Sequence, residues 1–209
     1  MSSKEYFDNV ANQWDTMREV FFSERVRETA LSTIQTTVKA GQVAADIGAG
    51  SGFITEALLK ANYNVIAVDQ SEEMLKTMKK KFGQRQVDYR VGNSENLPIE
   101  DNSVDYALAN MYLHHVEDPA LAVHEMTRIL KPDGWLVITD LDTHKHTFLI
   151  DEHHDRWMGF ERDVVMEWFK KAGLISTKIA DIGCECSASS ACGTHEASIS
   201  IFIASGLKG

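Results

Sequence analysis

Three glycines, Gly48, Gly50 and Gly52, follow Asp46 at two-residue steps in the stretch DIGAGSGF, residues 46–53. Glycine lets a backbone take left-handed conformations and approach a ligand closely. A dinucleotide loop needs G-x-G-x-x-G, and the position that should hold its last glycine is Phe53. The pattern therefore favours a nucleoside without a pyrophosphate. Asp69 lies 21 residues after Gly48, where a carboxylate can accept both ribose hydroxyls. VGNSENLP, residues 91–98, offers backbone and short polar groups to an adenine edge. An adenosine carrying an amino-acid tail and a sulfonium suits these three segments.

Two further groups could do chemistry. His114 and His115 stand together, and His144, His146, His153 and His154 fall within residues 140–160. The H-x-H and H-H pairs could ligate a metal with Asp140, Asp142 or Asp151, although the spacing matches no strong metal signature. His115 is a candidate general base, with a hydrogen-bonded structural histidine as the alternative. Cys184, Cys186 and Cys192 all fall in GCECSASSACGTH, residues 183–195. Three thiols suit a soft, thiophilic ion, or zinc with His195 as a fourth ligand. The alternative is three small residues in an edge hairpin.

The elements that must position these groups alternate. Phe7, Val10, Trp14, Met17 and Phe21 form one helical stripe. Ser23 is placed to cap a second helix with Val26, Ala30, Ile34 and Val38 inward, ended by Gly41. Strands are expected at 43–47, 64–68, 87–91, 104–109 and 135–139. Helices are expected after the glycine loop, from Ser71 to Gly83, from Asp118-Pro119, and over 162–172. KPDG, residues 131–134, reads as a turn. Strand-like runs at about 174–186 and 196–205 have no helix between them and form an antiparallel hairpin. The expected fold is an α/β, Rossmann-like, doubly wound seven-stranded sheet, mostly parallel with an antiparallel C-terminal hairpin strand and helices on both faces. One domain over 1–209 is expected: a helical lid over 1–40 and the core over 41–209. In it the sixth strand runs parallel to the fifth, which brings the cysteine hairpin to the glycine-loop side.

DIGAGSG, VIAVDQSEEML, GNSENLPIEDNSVDYALAN, LHHVEDP and RILKPDGWLVITD together resemble the class I S-adenosylmethionine-dependent methyltransferases, nearest the small-molecule branch of ubiquinone-biosynthesis type. The resemblance is close over roughly residues 40–140. It implies S-adenosyl-L-methionine as cofactor. Asp46, Gly48, Gly50 and Gly52 would line its methionine part, Asp69 would hold the ribose, and Gln70 would lie beside the adenine. Asn93, Ser94 and Glu95 would meet the adenine edge, and Asn110 would lie near the sulfonium. Many relatives have Asp where Asn93 stands, so adenine recognition is expected to be weaker or retuned. The family also includes arsenite methyltransferases that use cysteines as metalloid ligands, although this chain has none before Cys184.

The 209 residues are 44% hydrophobic and 25% charged, with a formal charge of −10, which disfavours a nucleic-acid partner. NMYLHH also lacks the N-P-P-type tetrapeptide of enzymes that methylate a base amine. No apolar run approaches the roughly 18 residues of a membrane span. Three clustered cysteines do not read as a disulfide framework, and a cytoplasmic protein, monomer or homodimer, is expected. The expected activity is methyl transfer to a small-molecule acceptor. Two alternatives stand beside it: a thiophilic metalloid acceptor on the cysteines, and a non-catalytic cofactor- or metal-binding protein.

Overall fold

The computed structural model describes residues 2–34, 41–83 and 87–209. Three helices come first: α1 (Ser3–Val10), α2 (Trp14–Phe21) and α3 (Arg25–Ile34). The single stripe expected over Phe7–Phe21 is thus broken between α1 and α2. α1 has its own start signal, a capping box in which Ser2 and Glu5 satisfy each other's amides. Its neighbour α2 turns so that Phe7, Trp14 and Phe21 face recesses rather than a packed core, which leaves all three only half-buried. Val38, expected on the inner face of the second helix, lies outside the described residues.

The alternating part follows the expected order: β1 (Val43–Ile47), α4 (Phe53–Lys60), β2 (Asn64–Asp69), α5 (Glu72–Phe82), β3 (Val87–Val91), β4 (Val104–Asn110), a short 3₁₀ turn at Leu113–His115, α6 (Pro119–Ile129) and β5 (Leu130–Leu141). Then come α7 (Phe148–His153), α8 (Arg162–Lys171), β6 (Leu174–Ser189) and β7 (Glu196–Lys208). Ser71 caps α5 by accepting the Met74 amide, and Asp118 caps α6 by accepting that of Leu121, with Pro119 in the first turn. The KPDG turn is taken up inside β5. Leu130 pairs with Val104, the register breaks, and pairing resumes at Trp135 opposite Tyr106, with Asp133 left-handed at φ +62°.

The sheet order is β3-β2-β1-β4-β5-β7-β6. β1 to β5 are parallel, and β7 is antiparallel to both β5 and β6. β6 therefore runs in the β5 direction, as expected. Strand residues alternate between faces. Ala45, Ile47 and Ile138 pack towards Met126 and Phe169 of α6 and α8, whereas Ala44, Leu108 and Val137 pack towards Ile34, Ile54 and Leu58 of α3 and α4. Side chains such as Phe169 and Leu58 are fully buried, each worth about 1.5–3 kcal/mol of transfer free energy. Strand order reverses between β1 and β4, so their carboxyl ends diverge into a crevice where a ligand can sit. No helix among the described residues is long and apolar enough to cross a membrane.

Candidate active site

The glycine loop is built as a ligand floor. Gly48 and Gly50 are left-handed, at φ +67° and +52°. A Cβ on Gly48 would lie 2.1 Å from the Tyr112 ring, so only glycine lets that ring close on the loop. Gly48 and Ala49 donate to the Val68 carbonyl at 2.9 and 3.0 Å, which ties the loop to β2. Asp69 ends β2 and divides its carboxylate: Oδ2 accepts the Gly50 amide and Oδ1 the Ser71 amide, both at 2.8 Å. Burial pushes its pKa up to about 6 despite these two donors.

A recess of about 560 Å³ opens over this loop, with Gly48, Gly50, Asp69, Gln70 and Asn110 in its wall. Asn110 is held by the Thr139 hydroxyl, which donates to its Oδ1 at 2.8 Å. Asn93 and Glu95 line an adjoining recess that shares Gln70, Tyr112 and His115 with the first. Their side chains bond each other at 3.0 Å, and Ser94 is buried behind them, accepting the Tyr112 hydroxyl at 3.2 Å. Asp46 and Gly52 do not reach the wall of the recess. Asp46 is buried and accepts the Thr55 hydroxyl at 2.6 Å, and burial pushes its carboxyl up to about 7.

The helices at the N-terminus stand over the loop. Asp8 of α1 accepts the hydroxyl of Ser71 at 2.6 Å. Asp15 of α2 accepts that of Ser51 at 2.5 Å and pairs with Lys81. Trp14 Nε1 lies 3.6 Å from where a Gly50 Cβ would be. Arg18 is buried in the same wall, its guanidinium carbon 4.2 Å from the Phe53 ring centroid, with Glu24 at 3.5 Å. Arg18 thus lies on the glycine-loop side rather than in an acceptor site.

A second chamber, of about 480 Å³, adjoins the first. Its walls are apolar, from Phe7, Trp14, Phe21, Phe22 and Leu149, and its polar end holds His114, His115, His153, Asp155 and Cys186. Phe7, Trp14, Phe22, Met111 and His115 belong to both recesses. His115 therefore stands at the junction, packed edge-on against Phe7 at 4.9 Å. Met111, leaving β4, is left-handed at φ +50°, a conformation uncommon outside glycine and found at ligand clamps.

The polar end is organised by Asp140 at the end of β5. Fully buried, it accepts the amides of Tyr112 and Leu113 at 3.1 and 2.8 Å through Oδ2, and meets His114 Nδ1 at 2.6 Å through Oδ1. Burial alone would lower the His114 pKa, but Asp140 and Asp155 outweigh it and push it up to about 9. His115 is held well below the usual imidazole range by burial and by His114 beside it. Asp155 Oδ1 lies 3.7 Å from His115 Nδ1 and 4.0 Å from His114 Nε2, and burial pushes its carboxyl up to about 6. Asp155 is not among the site residues expected from the sequence. It opens the segment DRWMGF, residues 155–160, which folds back onto the β4 exit: the Arg156 and Trp157 amides donate to the His114 carbonyl, and Trp157 Nε1 donates to that of Val116. A Cβ on Gly159 would sit 2.1 Å from the Asp142 carbonyl oxygen, which marks how tightly this turn packs on the β5 exit. His144 and His153 stay outside the pairing. Each keeps a buried Nε2 with no hydrogen-bond partner among the described residues.

The cysteines do not form the expected ligand set. Cys184 and Cys186 do share a face of β6, as expected, and pack in one apolar cluster. Cys192 is exposed at the hairpin tip, beside the Ser190 and Thr194 hydroxyls at 3.4 and 2.9 Å. β6 continues to Ser189 before turning, and this carries Cys192 away from the other two. Among the described residues, the one group of three or more His, Cys, Asp or Glu side chains whose ligand atoms converge within 4.8 Å is His114, His115 and Asp155.

Residues 45–138 match the family model of the methyltransferase domain. A demethylmenaquinone methyltransferase of Paenarthrobacter aurescens is 35% identical over 135 residues, covering 64% of this chain and 53% of that protein. The chain thus spans about half the length of that curated relative. Two solved structures show the fold. One is a putative methyltransferase in complex with the Trm112 activator of Haloferax volcanii, with a TM-score of 0.76, 22% identity and 96% of each chain covered. The other is Haemonchus contortus phosphoethanolamine N-methyltransferase 2 in complex with S-adenosyl-L-methionine, with a TM-score of 0.69 and 19% identity, covering 87% of this chain and 52% of that one.

Proposed function

We propose that this chain, whose domain is of the class I S-adenosylmethionine-dependent methyltransferase type, moves a methyl group onto an apolar small molecule bearing a hydroxyl. S-adenosylmethionine fits the residues present. Left-handed Gly48 and Gly50 keep side chains off the floor, Asp69 retains lone pairs for ribose hydroxyls, and Arg18 supplies a charge for the amino-acid carboxylate. Gln70, Asn93 and Glu95 would surround the adenine end, with Ser94 behind them supporting Tyr112, and Asn110 would lie at the sulfur end. When bound, the cofactor supplies a methyl group on a good leaving group.

One observation carries the reading: the wall shared by the two recesses, where Phe7, Trp14, Met111 and His115 meet both. A nucleophile in the apolar chamber has its path to the glycine-loop recess through that junction. Such displacements are accelerated mainly by holding the partners in line and excluding water, and α1 and α2 supply the aromatic cover. His115 is the catalytic residue of this reading. As a neutral imidazole it offers an unprotonated nitrogen to an acceptor O–H, which orients the nucleophile and makes it more electron-rich. One relative is named as a demethylmenaquinone methyltransferase, and the chamber's aromatic walls suit an apolar ring acceptor here.

The test is turnover. Purified chain with methyl-labelled S-adenosylmethionine and a panel of quinols, phenols and enols should convert label into one extracted product and release S-adenosylhomocysteine. Tight cofactor binding with no turnover on any acceptor would make the chain a binding protein instead. Label found in a methylated arsenic species when arsenite is added, and lost when the three cysteines are replaced by serine, would restore the metalloid reading.

A further inference from the structure

We infer that His114, His115 and Asp155 bind a divalent transition-metal ion at the polar end of the acceptor chamber, with an open position for an acceptor oxygen. This rests on the methyl-transfer reading and specifies how the polar end would hold its acceptor: with His115 a ligand through the nitrogen that faces Asp155, the ion and not the imidazole would meet the acceptor oxygen.

The three side chains come from two places that only the fold joins, the 3₁₀ turn after β4 and the DRWMGF turn after α7. All three are buried, and their ligand atoms lie within 4.8 Å of one another. Asp155 Oδ1 is 3.7 Å from one imidazole nitrogen and 4.0 Å from the other. Ligands about 2.0–2.1 Å from a tetrahedral ion are about 3.3–3.5 Å apart, so a contraction of under an ångström closes each carboxylate–imidazole pair, and the two imidazoles, within 4.8 Å, must close by at most about 1.5 Å. Two imidazoles and one carboxylate are borderline ligands, suited to zinc, cobalt or iron in the divalent state rather than to magnesium or calcium.

The surroundings are those of a metal site. His114 gives Nδ1 to Asp140 at 2.6 Å, which fixes the ring and leaves Nε2 turned towards Asp155. Asp140 is itself fixed by three backbone amides, of Tyr112, Leu113 and Leu141. A carboxylate behind a histidine ligand, held in turn by the backbone, is the usual outer support of such a ligand. Asp140 and Asp155 place two carboxylates on either side of His114 in a buried site, a donor set that a divalent ion would complement. His114, His115 and Asp155 all line the chamber, so the remaining position faces the acceptor. An ion there would polarise a hydroxyl or enol oxygen as a Lewis acid.

The experiment uses chelator-stripped full chain titrated with cobalt(II) chloride, read by calorimetry and by visible absorption. One ion per chain is expected, with the intense visible bands of a four- or five-coordinate site. Asp155→Asn and His114→Gln should each lose it, and Asp140→Asn should weaken it about 10–100-fold. Cys192→Ser and the exposed Lys76→Gln should bind as wild type does, which guards against stray thiol binding, and an unchanged circular dichroism spectrum in each ligand variant guards against loss of fold. Spectra of the wild-type chain that show no stoichiometric ion, or binding undiminished in Asp155→Asn, would overturn the site. Turnover at full rate in stripped protein would overturn its role while leaving methyl transfer standing. Stoichiometric cobalt without any turnover would keep the site and sink the transfer reading.

Discussion

Asp69 Oδ2 accepts the Gly50 amide at 2.8 Å while its Oδ1 accepts that of Ser71, so one carboxylate both shapes the glycine loop and faces the recess above it. Asp69→Asn replaces one acceptor oxygen by a donor that opposes an amide. Losing a charged acceptor costs about 1.5–3 kcal/mol. S-adenosylmethionine affinity should therefore fall about 10–100-fold, checked by calorimetry. The pH dependence has a definite sign. Burial holds Asp69 up at about 6, and the ionised form is the better acceptor for ribose. Affinity should rise from pH 5 to pH 7 and then level off, with the variant losing that rise.

Asp46 gives a stability prediction of the opposite sense. Its folded pKa is raised from an ordinary carboxylate value near 3.8 to about 7 by burial. A raised carboxyl favours the folded state most when protonated, so its contribution is full below about pH 4 and lost as pH rises towards 7. Asp46→Asn cannot ionise and keeps a polar group for the Thr55 hydroxyl. Denaturant unfolding at pH 4.5 and pH 7.5 should show the wild type losing stability relative to Asp46→Asn as the pH is raised. Parallel curves for the two proteins would refute this.

Two of the left-handed glycines of the loop, Gly48 and Gly50, should differ in tolerance. A Cβ at Gly48 strikes the Tyr112 ring at 2.1 Å, whereas one at Gly50 meets only Trp14 at 3.6 Å. Both substitutions carry a left-handed penalty of about 1–2 kcal/mol. Gly48→Ala adds overpacking of about 1–3 kcal/mol. Urea midpoints should rank wild type above Gly50→Ala and Gly50→Ala above Gly48→Ala.

Arg18 lies in the glycine-loop recess, buried against Phe53. If its guanidinium meets the cofactor carboxylate, Arg18→Gln should weaken S-adenosylmethionine about 10–100-fold, the range of a charge-assisted hydrogen bond. The same change should leave 5′-methylthioadenosine, which has no carboxylate, bound as in wild type. Equal losses for both ligands would assign Arg18 a purely structural role.

Much of this was legible in the chain because it depends on local chemistry. The glycine spacing required a tight turn, Ser71 and Asp118-Pro119 marked helix starts, and alternating apolar runs specified buried parallel strands. The break between α1 and α2 was hidden because both halves continue one helical period across residues 11–13. The period says where an apolar stripe is, not whether it meets a sheet or a cavity.

The sequence by itself determined the order of elements, the loop that floors a nucleoside recess and the carboxylate at the end of β2. Each rests on residues within a turn or two of one another. Tertiary structure alone decided which distant side chains converge. It brought His114, His115 and Asp155 together across some 40 positions, because β5 delivers Asp140 behind His114 and the DRWMGF turn folds back onto the same carbonyl. It also parted Cys192 from Cys184 and Cys186, which are neighbours in sequence, because β6 keeps pairing with β7 through Ser189. Contacts across a fold follow strand register and turn packing, and neither is written in the spacing of the residues that meet.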